Sequence, residues 1–437
     1  MAPAGAYVVW STLVLAALAT IVARRRRPAG WQPVALVGVA IASVVAFAFV
    51  SWGRATPFGD FNTYYAAGAS IFADPARLYS CETRQLCYVN IPIVAALFAP
   101  LAVLGRLPAQ IVFSLAGAVA VVVAAWLLSR ELRATASERY AIVVLLALSG
   151  PLLYSARLGN LTHVMLPFLV AAFAALTRGR DGRAGAVIGA LAIIKPPLML
   201  FLPYFVLRQR WRAAAAMGGI IIAATLASLV WFGLDVHRVW WFELGGKYSS
   251  RPVGAYNVQS LAGMLAHLRR PGHLTDWTPL DVSPTFMAVY YGLVAAVFAA
   301  AAATCFASGA PTKPSAQWAE LSIVMVLLLL AGPVTWTHYY AFCVIPLACY
   351  ATRAITATGT AVTLGVGAAA LLVSAPVVLW LPHGPILGPL VARVLISHYV
   401  LGGLLLLGAL CVSRRVGQQP AMPQIDAEPA RPALRPG

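Results

Sequence analysis

Apolar runs long enough to cross a bilayer dominate this chain. "AYVVWSTLVLAALATIVA" (6–23) and "GWQPVALVGVAIASVVAFAFV" (30–50) each run to about twenty uncharged residues, the length an α-helix needs to span a hydrocarbon core of about 30 Å. About thirteen such segments follow one another. In lipid, backbone polar groups must pair within the segment, and the alternating pattern of a barrel strand is absent. The chain therefore reads as an all-α polytopic membrane protein. Only 10% of its residues are charged, where a soluble domain carries roughly a quarter.

The formal charge of +18 does not mark a nucleic-acid protein. The basic residues fall in short clusters between apolar runs, "ARRRRPAG", "RGRDGR", "RQRWR" and "SRR", as topology signals and contacts to membrane lipids do. Four arginines follow the first apolar run instead of preceding it, which separates an uncleaved span from a signal peptide. Residues 1–31 thus read as an extra N-terminal helix and basic loop, 32–412 as one membrane domain, and 413–437 as a disordered, Pro- and Ala-rich tail. The positive-inside rule places the N-terminus outside a plasma membrane and the C-terminus in the cytoplasm.

Two segments leave the number of crossings open. Residues 91–104 are short and contain Pro100, and 184–207 carry "KPP" at their centre. If both cross, there are thirteen spans. If both dip in and return, there are eleven, and "RELRATASER" and "RGRDGR" stay inside. Either way one outer face receives loops 53–90 and 234–282, with "TWTHYY" and "LPHGP". Seven of the thirteen acids lie there: Asp60, Asp74, Glu82, Asp235, Glu243, Asp276 and Asp281. A transporter buries its polar residues near the midplane, whereas this inventory suits a site at the membrane surface.

Within the first outer loop, Phe61, Tyr64, Tyr65, Gly68, Ile71 and Phe72 recur at helical spacing, the pattern of a short interfacial helix. Asp60 stands at its start. It reads equally as an N-cap and as a general base held ionised by the helix N-terminus. Lys195 lies at the middle of an apolar run, where a lysine costs about 2.5–3.5 kcal/mol, and two prolines break the helix behind it. A phosphate is its natural partner; a lysine satisfied by a carbonyl is the bland alternative. His338 and Tyr339, in "TWTHYYAFCVIPL", mark an aromatic entrance to a span, serving catalysis, substrate or only the interface. Lys247, Arg251, Asn257, Gln259 and Ser260 in the long loop offer hydrogen bonds that suit a carbohydrate, or ordinary solvation. Cys81 and Cys87, in "CETRQLC", are disulfide candidates in an oxidising compartment. Neither a phosphate-binding glycine loop nor a zinc-spaced His/Cys cluster is present, so no cofactor or metal is expected.

Taken in order, "GDFNTYYAAGASIFADPARLY", "LGNLTHVMLPFLVAAFAAL", "RAGAVIGALAIIKPPLMLFLPYFVLRQRWRAA", "YNVQSLAGML" and "WTHYYAFCVIPL" resemble glycosyltransferase family 87 of the GT-C superfamily, which includes actinobacterial mannosyltransferases of phosphatidylinositol mannosides. The resemblance implies a GT-C-like bundle of about 11–13 helices with an interfacial helix after the catalytic Asp. It implies inverting transfer of a sugar, mannose first, from a polyprenyl-phosphate donor to a lipid or glycan acceptor at the outer face. In it Asp60 matches the essential first-loop aspartate, His338 a later catalytic histidine, and Lys195 a Lys-Pro position read as phosphate-binding with help from Arg251. Tyr64, Tyr65, Asn160, Asn257, Gln259 and Tyr339 are then the substrate-binding candidates. The chain departs from the family with Asn90-Ile91-Pro92 where Tyr-Pro-Pro is usual, and with Asn160 where Gln is frequent. A non-enzymatic reading, a lipid-linked glycan flippase or a degenerate scaffold, is the rival; it lacks the transmembrane polar path that transport demands.

Overall fold

The computed structural model describes residues 8–13, 16, 57–79, 87–307, 309–377, 379, 381, 382 and 384–416. The expected span 32–52, the tetra-arginine run, Cys81 and the tail beyond 416 lie outside these residues. The described chain is helical, its β-structure limited to two isolated bridges, Val253 with Pro279 and Val258 with Trp336. In chain order its main helices are α1 (Gly59–Ala73), α2 (Arg106–Glu131), α3 (Ala136–Ala147), α4 (Gly150–Leu158), α5 (Thr162–Thr177), α6 (Asp181–Ile194) and α7 (Phe201–Leu207). They continue with α8 (Trp211–Val239), α9 (Leu261–Arg269), α10 (Pro284–Ala307), α11 (Pro314–Ala331), α12 (Val344–Ala351), α13 (Thr360–Ser374) and α14 (His398–Val416).

Among the described residues five helical stretches are long and apolar enough to cross a membrane: α2, α8 extended to Tyr248, α10, α11, and Leu387–Val416, which ends in α14. The bent pair α3–α4, turned by 53°, adds a sixth if counted as one span. Local chemistry sets that bend. Thr135 and Glu138 form a capping box at the head of α3, and Ser149 restarts the chain by accepting the Leu152 amide at 3.3 Å.

Ion pairs gather the basic clusters at one end of the bundle. Arg178 pairs with Glu131, Arg210 with Asp181 at 3.1 Å, and Glu320 accepts from Arg208 at 2.9 Å and Arg414 at 2.8 Å. Asp181 opens α6 and Arg210 follows α7, so the two legs begin and end together. Residues 184–207 therefore form a re-entrant hairpin with Lys195 at its tip. The prolines cause the reversal: Lys195, just before Pro196, sits at φ −127°, ψ 86°, outside the helical region, as a residue before proline must.

Residues 91–104 do not cross either. Pro92 and Pro100 divide them into a 3₁₀ stretch, Pro92–Leu97, and a single turn, Ala99–Ala102. This segment forms a floor beneath α1, where the Tyr64 ring stacks on Phe98 at 4.8 Å. Gly68 permits the contact, since a Cβ there would come within 2.6 Å of the Phe98 carbonyl carbon. On α1 the buried stripe is Phe61, Tyr64, Ala67, Gly68 and Ile71; Phe72, expected on it, is exposed, one residue having turned it by about 100°.

Candidate active site

Opposite the basic end, four segments converge on Asn160. The first is the head of α1. Phe58 adopts a left-handed backbone, φ 62°, costly for a bulky residue, and its amide is tied to the Arg157 carbonyl at 2.9 Å. The helix starts at Gly59 with Phe58 in the cap position and no side-chain cap bond. Asp60 is thus inside the first turn and not the N-cap. Its carboxylate accepts a hydrogen bond from Asn160 Nδ2 at 2.6 Å. Burial pushes the Asp60 carboxyl above its usual range, while the Asn160 hydrogen bond and the Lys195 charge pull it back down.

The second segment is the turn between α4 and α5. Gly159 ends α4 at φ 65°, a position where a side chain is strained, and a Cβ there would lie 2.4 Å from that of Phe61. Asn160 then makes an Asx turn: its Oδ1 accepts the Thr162 amide at 3.0 Å and the Thr162 hydroxyl at 2.8 Å. The third segment brings the hairpin tip, and Lys195 Nζ donates to the same Oδ1 at 3.1 Å. Three donors on one oxygen settle the orientation of the amide, because the flipped form would set its own NH2 against them. Nδ2 must therefore face Asp60.

The fourth segment is Thr337–Cys343, a 3₁₀ stretch leading into α12. It places His338 Nε2 at 3.5 Å from Lys195 Nζ and the Tyr339 ring beneath that ammonium, 4.3 Å from its centroid. Asn160, Lys195 and His338 are 2%, 4% and 5% exposed, while Asp60 is half-buried. Asp60, Asn160, Lys195, His338 and Tyr339 thus form one cluster, and the Tyr64 hydroxyl touches it at 3.5 Å from Asn160 Nδ2.

Other candidates lie elsewhere. Tyr65 turns away to the Ala102 carbonyl at 3.2 Å. Arg251 is exposed and donates to Asp281 at 2.7 Å, apart from Lys195. Gln259 holds loops together, donating to the Tyr256 and Ile396 carbonyls at 2.8 and 2.7 Å. Asn257 borders the cluster: its carbonyl accepts the Thr337 amide at 2.9 Å and its side chain accepts from Trp277 at 2.8 Å. Cys87 is disulfide-bonded. Among the described residues no group of three His, Cys, Asp or Glu side chains is arranged to hold a metal.

Sequence reading missed Thr162, Ser155 and His163. Ser155 Oγ meets His163 Nδ1 at 3.0 Å and accepts its amide at 3.2 Å, bracing the turn from below. The Gly-Asn-x-Thr string ahead of an apolar run is the signal that carries Thr162, since it reads as a helix stop followed by an Asx start.

A family model for glycosyltransferase family 87 matches residues 88–333, more than half of the chain. The chain belongs to glycosyltransferase family 87. No characterised protein and no solved structure matches it. Membership makes this family-87 chain a glycosyltransferase, with a sugar donor and an acceptor as substrates. The matched stretch contains Asn160, Lys195, Asn257 and Gln259, and Asp60 and His338 lie on either side of it.

Proposed function

We propose that this family-87 protein moves a hexose or pentose, mannose first, from a polyprenyl-phosphate donor to a lipid-linked or cell-envelope glycan acceptor at the outer face of the plasma membrane. One observation carries the reading: a carboxylate and an ammonium sit on opposite ends of a single amide, Asp60 at 2.6 Å and Lys195 at 3.1 Å from Asn160. Asp60, the least buried of the set, takes the proton of an acceptor hydroxyl. That oxygen bonds to the anomeric carbon as the carbon–phosphate oxygen bond breaks, and the electron pair leaves with the phosphate. Attack from the face opposite the leaving group inverts the anomeric centre. Lys195, with His338 beside it, stabilises the charge that develops on the phosphate. A raised carboxyl pKa suits a base that must also give its proton up. The ammonium supplies the positive charge the leaving group needs, so the reading calls for no metal.

The test is transfer of label from polyprenyl-phosphate mannose to a membrane glycolipid extract, by wild type and Asp60→Asn, with and without EDTA. Loss of transfer in the variant and indifference to EDTA support the reading. Transfer that persists in the variant removes Asp60 as the base. If wild type transfers neither mannose nor arabinose from such donors, the polyprenyl-phosphate reading fails.

A further inference from the structure

At the site-bearing end, away from Asn160, a cavity of about 260 Å³ opens between the C-terminal end of α9 and the head of α10. Its lining divides by chemistry. Arg269, Arg270 and Ser283 give the polar part, and Ala266, Leu280, Val282 and Phe286 the apolar part. Among the described residues neither Arg269 nor Arg270 has an ion pair, and both are exposed. The neighbouring carboxylate, Asp281, is engaged by Arg251 at 2.7 Å. Ser283 Oγ accepts the Phe286 amide at 3.2 Å, a bond that does not use its own hydrogen. The same wall is the N-terminal end of a 24-residue helix, with its positive dipole. A third cation stands close by: Arg393 donates to the Leu268 carbonyl at 3.0 Å. On the same two helices Leu268, Val289 and Tyr291 are exposed apolar side chains.

Three arginines and a helix N-terminus around a pocket with an apolar back describe a receptor for a phosphate that carries a hydrocarbon tail. We propose that this cavity binds a phosphate anion, with Arg269 and Arg270 on its oxygens and Ser283 donating to a third, and that a membrane lipid's phosphodiester headgroup supplies it. Arginine matches phosphate oxygens in paired hydrogen bonds, and Leu280, Val282 and Phe286 offer the first methylenes of the chain an apolar bed. The site lies roughly one length of α9 from Asn257–Ser260, about 13 Å at 1.5 Å per residue, so it is separate from the Asp60 cluster and independent of the reaction assigned there.

The full chain, purified in detergent, is mixed with phosphatidylglycerol or phosphatidylcholine of identical acyl chains, and bound lipid is counted by native mass spectrometry. The wild type is expected to retain phosphatidylglycerol about tenfold better than phosphatidylcholine. The double variant Arg269→Gln/Arg270→Gln should lose the preference, Arg269→Lys/Arg270→Lys should keep part of it, and Arg238→Gln, exposed and distant in sequence, should keep all of it. A second arm follows thermal unfolding with inorganic phosphate at millimolar concentration. A phosphate-dependent rise in wild type but not in the Gln variant, without a lipid preference, assigns the anion site to a soluble phosphate. Equal retention of both lipids with no response to phosphate overturns the proposal, as does an unchanged preference in the Gln variant.

Discussion

Asn160 donates to Asp60 at 2.6 Å through an amide whose orientation is fixed from its other end by Lys195 and Thr162. In the proposed mechanism the base is therefore aimed by Asn160, itself held by Lys195 and Thr162. Replacing Asn160 with Leu removes the one hydrogen bond that lowers the Asp60 pKa and leaves burial less opposed. The proposed mechanism uses Asp60 deprotonated, so activity rises with pH through its pKa. The acid limb of the kcat/KM profile should move to higher pH in Asn160→Leu, and kcat at pH 7 should fall about 10- to 100-fold.

Asp60→Asn should lower transfer at least about 100-fold without lowering the thermal unfolding midpoint. The sign follows from the raised pKa. A carboxyl with a folded pKa above its unfolded value favours folding below the unfolded pKa, and that advantage is lost as pH rises through the folded pKa. At neutral pH the wild type carries this cost and the amide variant does not. A lower midpoint in the variant, measured in detergent at pH 7, contradicts the assignment.

Thr162→Val removes one of three donors to Asn160 Oδ1 and keeps the backbone one. A single hydrogen bond of about 1 kcal/mol converts to a fall in kcat of roughly fivefold with KM unchanged, and Thr162→Ser should restore the rate. Equal losses in the Val and Ser variants mean that the methyl group, not the hydroxyl, is what the site needs.

Gly159→Ala places a side chain at φ 65° and 2.4 Å from the Phe61 Cβ. The helix head that carries Asp60 must then move. Loss of more than about 1 kcal/mol of stability and a fall in kcat should appear together, read by thermal unfolding and by transfer rate.

Glu320 is wholly buried and holds two arginines, Arg208 at the base of the re-entrant hairpin and Arg414 on α14. Removing the carboxylate strands two buried cations, a loss of about 3–5 kcal/mol. Glu320→Leu should unfold many degrees below wild type, and the triple change Glu320→Leu/Arg208→Met/Arg414→Met should recover much of the loss.

The parts of this picture legible in the sequence were those that violate a local rule. A lysine followed by two prolines inside an apolar run announces both a break and a charge in need of partners, and the structure places Lys195 at a tip among Asn160, His338 and Tyr339. Parity of crossings was not legible. Hydropathy registers how apolar 184–207 is but not which way its second leg runs, and only the contact between Asp181 and Arg210 shows the return. In the sequence Arg251 reads as a phosphate ligand because a loop cation carries no record of its partner; in the structure Asp281, thirty residues on, holds it. In the sequence Asp60 reads equally as a cap and as a base; the left-handed Phe58 caps the helix two residues before Asp60 and so removes the first of these.

The Glu320 cluster also bears on biogenesis. Arg208 and Glu320 emerge from the ribosome well before Arg414, so the tie between the hairpin's base and α14 is made last, after Asp181 and Arg210 have closed the hairpin itself. Until Arg414 arrives, Glu320 is paired with Arg208 alone, a neutral pair that lacks the second set of hydrogen bonds to its carboxylate.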